Sequence, residues 1–168
     1  MALHQIVQKW RDRFGPLISR GAVPQYGVMP YTIVDGQALF LLVTSRRTGR
    51  WIFPKGGAIE GMTPREVAAL EGFEEAGIEG EVEPSPIGVY RSTKTVGMRN
   101  VVIQVELYPL RLTRQFDDWP EMNHRERRWV VRAAAIALLS NARLVELVTR
   151  LDRRIARDMQ PATAPSGP

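Results

Sequence analysis

The stretch that decides the fold reads Gly56-Gly57-Ala58-Ile59-Glu60-Gly61-Met62-Thr63-Pro64-Arg65-Glu66-Val67-Ala68-Ala69-Leu70-Glu71-Gly72-Phe73-Glu74-Glu75-Ala76-Gly77-Ile78. A glycine-rich loop leads into a short helix. Thr63 suits the N-cap and Pro64 the first helical position. Glu66 stands three residues after the cap, as a capping box requires. Gly77 is the C-terminal stop. The spacing predicts a helix over 64–76. Glu71, Glu74 and Glu75 fall at i, i+3 and i+4, so their carboxylates share one face. Ala69, Phe73 and Ala76 fall on the opposite face, which is expected to pack on a core.

Like charges at this spacing repel by roughly 0.2–0.5 kcal/mol per pair in water. Partly buried beside a glycine loop they repel more, unless a cation sits among them. Clustered carboxylates near backbone carbonyls are hard oxygen ligands, suited to Mg²⁺ or Mn²⁺. The plain alternative is a solvated acidic helix face. The cap, the glycines and the Glu-x-x-Glu-Glu-x-Gly ending together weigh against it.

The pattern Gly56-x5-Met62-x7-Leu70-Glu71-Gly72-x-Glu74-Glu75-x-Gly77-Ile78 resembles the Nudix box. The family pattern is Gly-x5-Glu-x7-Arg-Glu-U-x-Glu-Glu-x-Gly-U, where U is aliphatic. The spacing agrees throughout. Three positions depart: Met62 replaces Glu, Leu70 replaces Arg, and Gly72 replaces an aliphatic residue. In the family, that Arg and first Glu help orient the metal-binding carboxylates. Here both positions are apolar, which reads as a substituted pair. Removing both partners can be nearly neutral, whereas removing one strands the other. Glu60, in the same loop, is a candidate replacement carboxylate.

The resemblance implies a single-domain α/β fold, an α/β/α sandwich with a mixed sheet, and hydrolysis of a diphosphate linked to another moiety. It implies that Glu71, Glu74 and Glu75, with the backbone at Gly56, hold Mg²⁺ or Mn²⁺. Glu74 or Glu75 would orient or deprotonate the water, and Glu121 is a second candidate base. Leu39–Arg46 and Arg50–Gly57 are similar to the corresponding segments of the diphosphoinositol polyphosphate branch, which also cleaves diadenosine polyphosphates. The Trp119–Trp129 segment is loosely similar too. By that likeness Arg46, Arg50 and Lys55 meet substrate phosphates, and Arg91, Lys94 and Arg99 extend the same basic funnel. The expected partner is an anionic polyphosphate small molecule. RNA 5′ ends, other nucleoside diphosphate derivatives and a non-catalytic nucleotide sensor are the alternatives.

Outward from the box, the chain supports the same class. Its 168 residues suit one domain. Hydrophobic content of 44% and charged content of 24% are ordinary for a globular chain. There is no cysteine, so disulfide frameworks and thiolate metal sites are excluded. No apolar run approaches the roughly 20 residues of a membrane span, and the N-terminus lacks the apolar core of a signal peptide. A cytoplasmic location, with no membrane partner, is the expectation. The net charge of +5 favours polyanionic partners. No nucleic-acid-binding motif accompanies it, so nucleic acid is the lesser alternative.

In chain order, residues 2–14 carry apolar residues at helical spacing, making residues 1–20 a helix and lead-in before a Nudix-like domain at 21–158. Strands are expected at 25–34, with Pro30 marking an edge or bulge, and at 38–45, joined by the Asp35-Gly36 turn. Further strands are expected at 80–90, 99–110 and 128–131, with a basic hairpin loop at 91–99 and a polar loop at 115–126. Helices are expected at 131–139 and, capped by Asn141, to about 158. Residues 159–168 are expected to form a disordered tail. Monomer and homodimer both stay open.

Overall fold

The computed structural model describes residues 21–160. The helix expected at residues 2–14 and nearly all of the expected tail lie outside the described residues. Strands β1 (Val23–Val34) and β2 (Gln37–Thr44) form a hairpin. Its turn places Asp35 at φ 49° and Gly36 at φ 75°, the positive angles that a two-residue hairpin turn uses. Short strands β3 (Trp51–Ile52) and β4 (Lys55–Gly57) follow. Helix α1 (Pro64–Ala76) comes next, then β5 (Ile78–Val82), β6 (Gly88–Val96), β7 (Arg99–Gln115) and β8 (Arg127–Val131). The described chain closes with α2 (Arg132–Leu138) and α3 (Ala142–Asp158). Asn141 caps α3, its side-chain oxygen accepting from the amides of Arg143 and Leu144.

The eight strands make one sheet with the path β3-β2-β1-β7-β5; β4 pairs with β1, β6 with β7, and β8 with β2. β1 and β7 run parallel, and the other pairs run antiparallel. The sheet is therefore mixed. Successive side chains on a strand point to opposite faces, so a strand buried on both faces reads as continuously apolar. The run Phe40-Leu41-Leu42-Val43 does so. Phe40 and Leu42 join Phe53, Tyr90, Val105, Leu147 and Leu151 in a core beneath α2 and α3. Leu41 and Val43 join Val28, Val67, Ala68, Ala76 and Leu110 in a core beneath α1. Helices thus cover both faces, giving the expected α/β/α sandwich.

Several local expectations are corrected. The single strand expected at 80–90 is two, β5 and β6, separated by a segment holding Pro84 and Pro86, which cannot donate ladder hydrogen bonds. They pair with opposite halves of β7. The basic loop expected at 91–99 is mostly paired strand, with the turn confined to Gly97 and Met98. Pro30 lies on a central strand. On one side β1 pairs with β4 at Gln25–Gly27 and with β2 at Tyr31–Val34, and Pro30 falls in the gap between them, where no donor is required. The glycine loop itself begins as strand β4.

Candidate functional site

Helix α1 is set by local chemistry. The Thr63 hydroxyl accepts from the Glu66 amide, and Glu66 accepts from the Thr63 amide at 2.7 Å, closing the capping box. Gly77 ends the helix at φ 63°, and its N–H donates to the Phe73 carbonyl at 2.9 Å. The buried side of α1 is Val67, Ala68, Gly72, Glu75 and Ala76. This corrects the expected division into an acidic face and an opposite core face. Glu75 lies on the buried side, while Phe73 sits at the margin, edge-on to Phe116 with ring centroids 5.5 Å apart. Glycines account for the close seating. A Cβ on Gly72 would stand 3.0 Å from Val28 Cγ2, and one on Gly56 would overlap the Glu71 carboxylate.

That carboxylate therefore rests directly over the β4 backbone. Burial pushes Glu71 up to about 7, with Glu75, Glu74 and Glu121 adding to the effect and Lys55 opposing it. Glu75 is 6% exposed. Its Oε2 accepts from the Lys55 amide at 3.2 Å, and its Oε1 accepts from Arg125 Nη2. Burial holds its pKa above the usual carboxylate value, against the pull of Arg125 and the Lys55 amide.

The segment after β7 docks on the C-terminal end of α1. The Phe116 amide donates to the Gly77 carbonyl at 2.8 Å, the Glu121 amide to the Glu74 carbonyl at 3.1 Å, and Arg127 Nη1 to the Ala76 carbonyl at 2.9 Å. These bonds satisfy carbonyls at the end of α1 and in its cap, with a cation at the negative end of the helix dipole. The Arg127 guanidinium lies 3.9 Å from the centroid of the Trp119 ring. Docking delivers Glu121 to the centre. Its Oε2 accepts from Arg125 Nε, and its Oε1 lies 3.4 Å from Arg46 Nη1.

Residues 24–151 match the NUDIX domain. The chain belongs to the Nudix family. It is 33% identical over 102 residues to Nudix hydrolase 12, mitochondrial, of Arabidopsis thaliana, covering 58% of this chain and 50% of that one. It is 32% identical over 122 residues to Nudix hydrolase 21, chloroplastic, of the same plant, covering 69% of this chain and 59% of that one. The chain thus spans about half to three-fifths of the length of these curated relatives. Among solved structures, the C. elegans Ap4A hydrolase binary complex superposes with a TM-score of 0.63 at 21% identity, over 81% of this chain and 99% of that one. The E. coli dihydroneopterin triphosphate pyrophosphohydrolase gives 0.62 at 15% identity, over 80% and 97%. At these identities the likeness is one of fold.

Within this Nudix domain the expected site residues divide. Glu71, Glu74, Glu75, Gly56 and Glu121 share one end of α1. Among the described residues, however, no three Asp, Glu or His side chains converge as a ready set of metal ligands. Glu75 is drawn aside by Arg125 and the Lys55 amide. Glu60 is exposed in the turn before the helix. Met62 packs against the core beneath α1.

Lys55 is mostly buried, and its Nζ donates to Gln25 Oε1 at 3.0 Å. Burial lowers its pKa, Glu75 opposes that, and Lys94 and Arg125 add to it. Arg46 and Arg50 are exposed on the turn before β3, and Arg47 Nη1 ties that turn to β6 through the Thr95 carbonyl at 3.2 Å. Lys94 and Arg99 lie on one face of the β6–β7 hairpin, and strand alternation puts Arg91 on the other. Lys94 thus lies within electrostatic reach of Lys55, on the hairpin face opposite Arg91.

Sequence reasoning passed over Arg125 and Gln25. Arg125 sits in the polar run His124-Arg125-Glu126-Arg127-Arg128, where no spacing rule marks one residue. Gln25, 5% exposed, reads as an ordinary strand residue until its partner Lys55 is in place.

Proposed function

We propose that this chain is a metal-dependent pyrophosphohydrolase cleaving phosphoanhydride bonds in diadenosine polyphosphates or diphosphoinositol polyphosphates. What supports the proposal is the seating of the Glu71 carboxylate on the Gly56 backbone within electrostatic reach of Glu74, Glu75 and Glu121, with Lys55, Lys94 and the Glu121-bound Arg46 nearby. The donor set fits a hard divalent cation such as Mg²⁺ or Mn²⁺. All four are carboxylates, and their mutual repulsion adds to the burial that raises Glu71. Glu71, Glu74 and Glu75 would hold the ion, Glu75 through its remaining lone pairs while Oε1 stays on Arg125. A bound cation supplies neutralisation of the phosphoryl oxygens.

The chain's own residues do the rest. Arg46 and Lys94 draw the polyphosphate to the rim, and Lys55 adds a desolvated charge nearer the carboxylates. Glu74, half-buried near the end of α1, would orient or deprotonate the attacking water, with Glu75 and Glu121 the other candidates for that role. Each further phosphate on the substrate meets another cation, so substrates with four or more phosphates should be favoured over nucleoside triphosphates. The preference should shrink as salt rises, because exposed charges are screened beyond about 8 Å at physiological ionic strength. Comparing kcat/KM for diadenosine tetraphosphate, a diphosphoinositol polyphosphate and dGTP at two salt concentrations tests this. If dGTP wins at both, the basic residues are surface charge and the substrate proposal fails.

One observation favours a second reading, a nucleotide-binding sensor without turnover. Glu75 is already committed to Arg125. Tight binding of a nucleotide with no phosphate release in any divalent metal would select that reading.

A further inference from the structure

The carboxylates of this site come from two separate elements, and one side chain joins them. Arg125 donates from Nη2 to Glu75, from Nε to Glu121, and from Nη1 to the Thr44 carbonyl at 2.8 Å. Its side chain is 6% exposed. A planar guanidinium engaged through all three nitrogens has its orientation fixed, and it fixes its partners in turn. One partner sits on α1, one on the loop before β8, and one at the end of β2. The box position that carries Arg in the family pattern holds Leu70 here, so this guanidinium reaches the carboxylates from a different part of the chain.

We propose that Arg125 is a positioning residue that sets Glu121 beside Glu75, so that Glu121 serves the centre only while Arg125 holds it. The proposal rests on the hydrolase reading above. Glu121 closes a chain of charges from the buried Glu75 through Arg125 and Glu121 to Arg46, whose side chain is 60% exposed at the rim. Arriving phosphate can engage Arg46 at the outer end, and the inner end depends on Arg125. The fork is what matters. A lysine keeps the charge, but a single ammonium on a flexible stem cannot span two carboxylates and a carbonyl in one plane.

The test uses the full chain with Arg125→Lys, Arg125→Met, Glu121→Gln and the Arg125→Lys/Glu121→Gln double variant. Thermal melting comes first, then kcat and KM on diadenosine tetraphosphate with Mg²⁺. Arg125→Lys is expected to melt cooperatively and to keep KM within about threefold, while kcat falls about 50-fold, the scale of losing a residue that orients a metal-site ligand. Glu121→Gln should lose a similar factor, and the double variant should fall no more than about threefold below the worse single, because the two act as one unit. Near-normal kcat in Arg125→Lys would overturn the proposal, since charge alone would then suffice. Losses that multiply in the double variant would also overturn it. Should neither Arg125 variant fold, Glu121→Gln decides, and normal kcat there overturns the proposal.

If the native chain releases no phosphate with any metal, the hydrolase reading fails, and hydrogen exchange by NMR reads the positioning claim separately. The Glu121 amide, which donates to the Glu74 carbonyl, should exchange about tenfold faster in Arg125→Lys, or in Glu121→Gln where no Arg125 variant folds, while the Val130 amide in β8 stays unchanged. Equal exchange of the Glu121 amide would overturn the claim.

Discussion

The two flanks of the carboxylate centre are held by different physics. The α1 flank is secured within a few residues of itself, by the Thr63–Glu66 box, by the left-handed Gly77, and by glycines that let Glu71 and Val28 approach. The flank formed by residues 116–127 is secured by single polar contacts to distant elements: an amide on the Glu74 carbonyl, Arg127 on the Ala76 carbonyl, and Arg125 on Glu75. The first flank is therefore sensitive to shape and the second to charge. Substitutions that add one carbon should damage the α1 flank most. Isosteric changes of charge should damage the loop flank and leave the fold standing.

The largest expected effect comes from adding a methyl group to β4. Gly56→Ala forces the Glu71 carboxylate off the backbone it now covers. Under the proposed hydrolase reading, turnover should fall on the order of a hundredfold or more, because such chemistry depends on charge held in place before the reaction. The melting temperature should move little, since the strained group is a flexible side-chain end. A folded Gly56→Ala with native turnover would dissociate Glu71 from the chemistry.

Next comes Gly77→Ala. The position sits at φ 63°, and a Cβ would stand 2.8 Å from Trp119 Cβ. Backbone strain of this kind costs about 1–3 kcal/mol. For a chain of this size each kcal/mol lowers the melting temperature by roughly 2–4 °C. Thermal melting measures it. The comparison sharpens if turnover per folded molecule falls as well, because Trp119 belongs to the segment that carries Glu121.

These expectations divide along the same line as what the amino-acid order reveals. The cap, the helix limits and the box glutamates depend on spacings of three and four residues, which periodicity exposes. The two-faced burial of Phe40–Val43 is legible for another reason, its unbroken apolar run. Arg125 is not, because its meaning lies in contacts far along the chain, to Thr44 and Glu75. The misplaced core face of α1 has a related cause. Periodicity groups Glu71, Glu74 and Glu75 as polar, but only the seating of α1 on β4 turns Glu75 inward. The splitting of the strand near Pro84 and Pro86 was readable in principle, since proline removes a ladder donor.

A smaller effect concerns pH. Glu71 is raised from its ordinary value of 4.5 to about 7 in the folded chain. Between those values the folded state binds more protons than the unfolded state, so stability of the metal-free chain should fall as pH rises through that window. Glu75 is shifted in the same direction. Melting in chelator at pH 5 and pH 7.5 should show the decline, and Glu71→Gln should flatten it. Magnesium at pH 7.5 should restore stability in the native chain. An unchanged pH slope in Glu71→Gln would show that this carboxylate is not the crowded one.

The most direct test of the central claim is phosphate release from diadenosine tetraphosphate, measured with Mg²⁺ and after chelation, for the native chain and for Glu74→Gln and Glu75→Gln. Release should require the metal and fall on the order of a hundredfold or more in both variants, with their folds intact. Release that persists after chelation, or near-native turnover in both folded variants, would contradict the assignment of the α1 carboxylates to the chemistry.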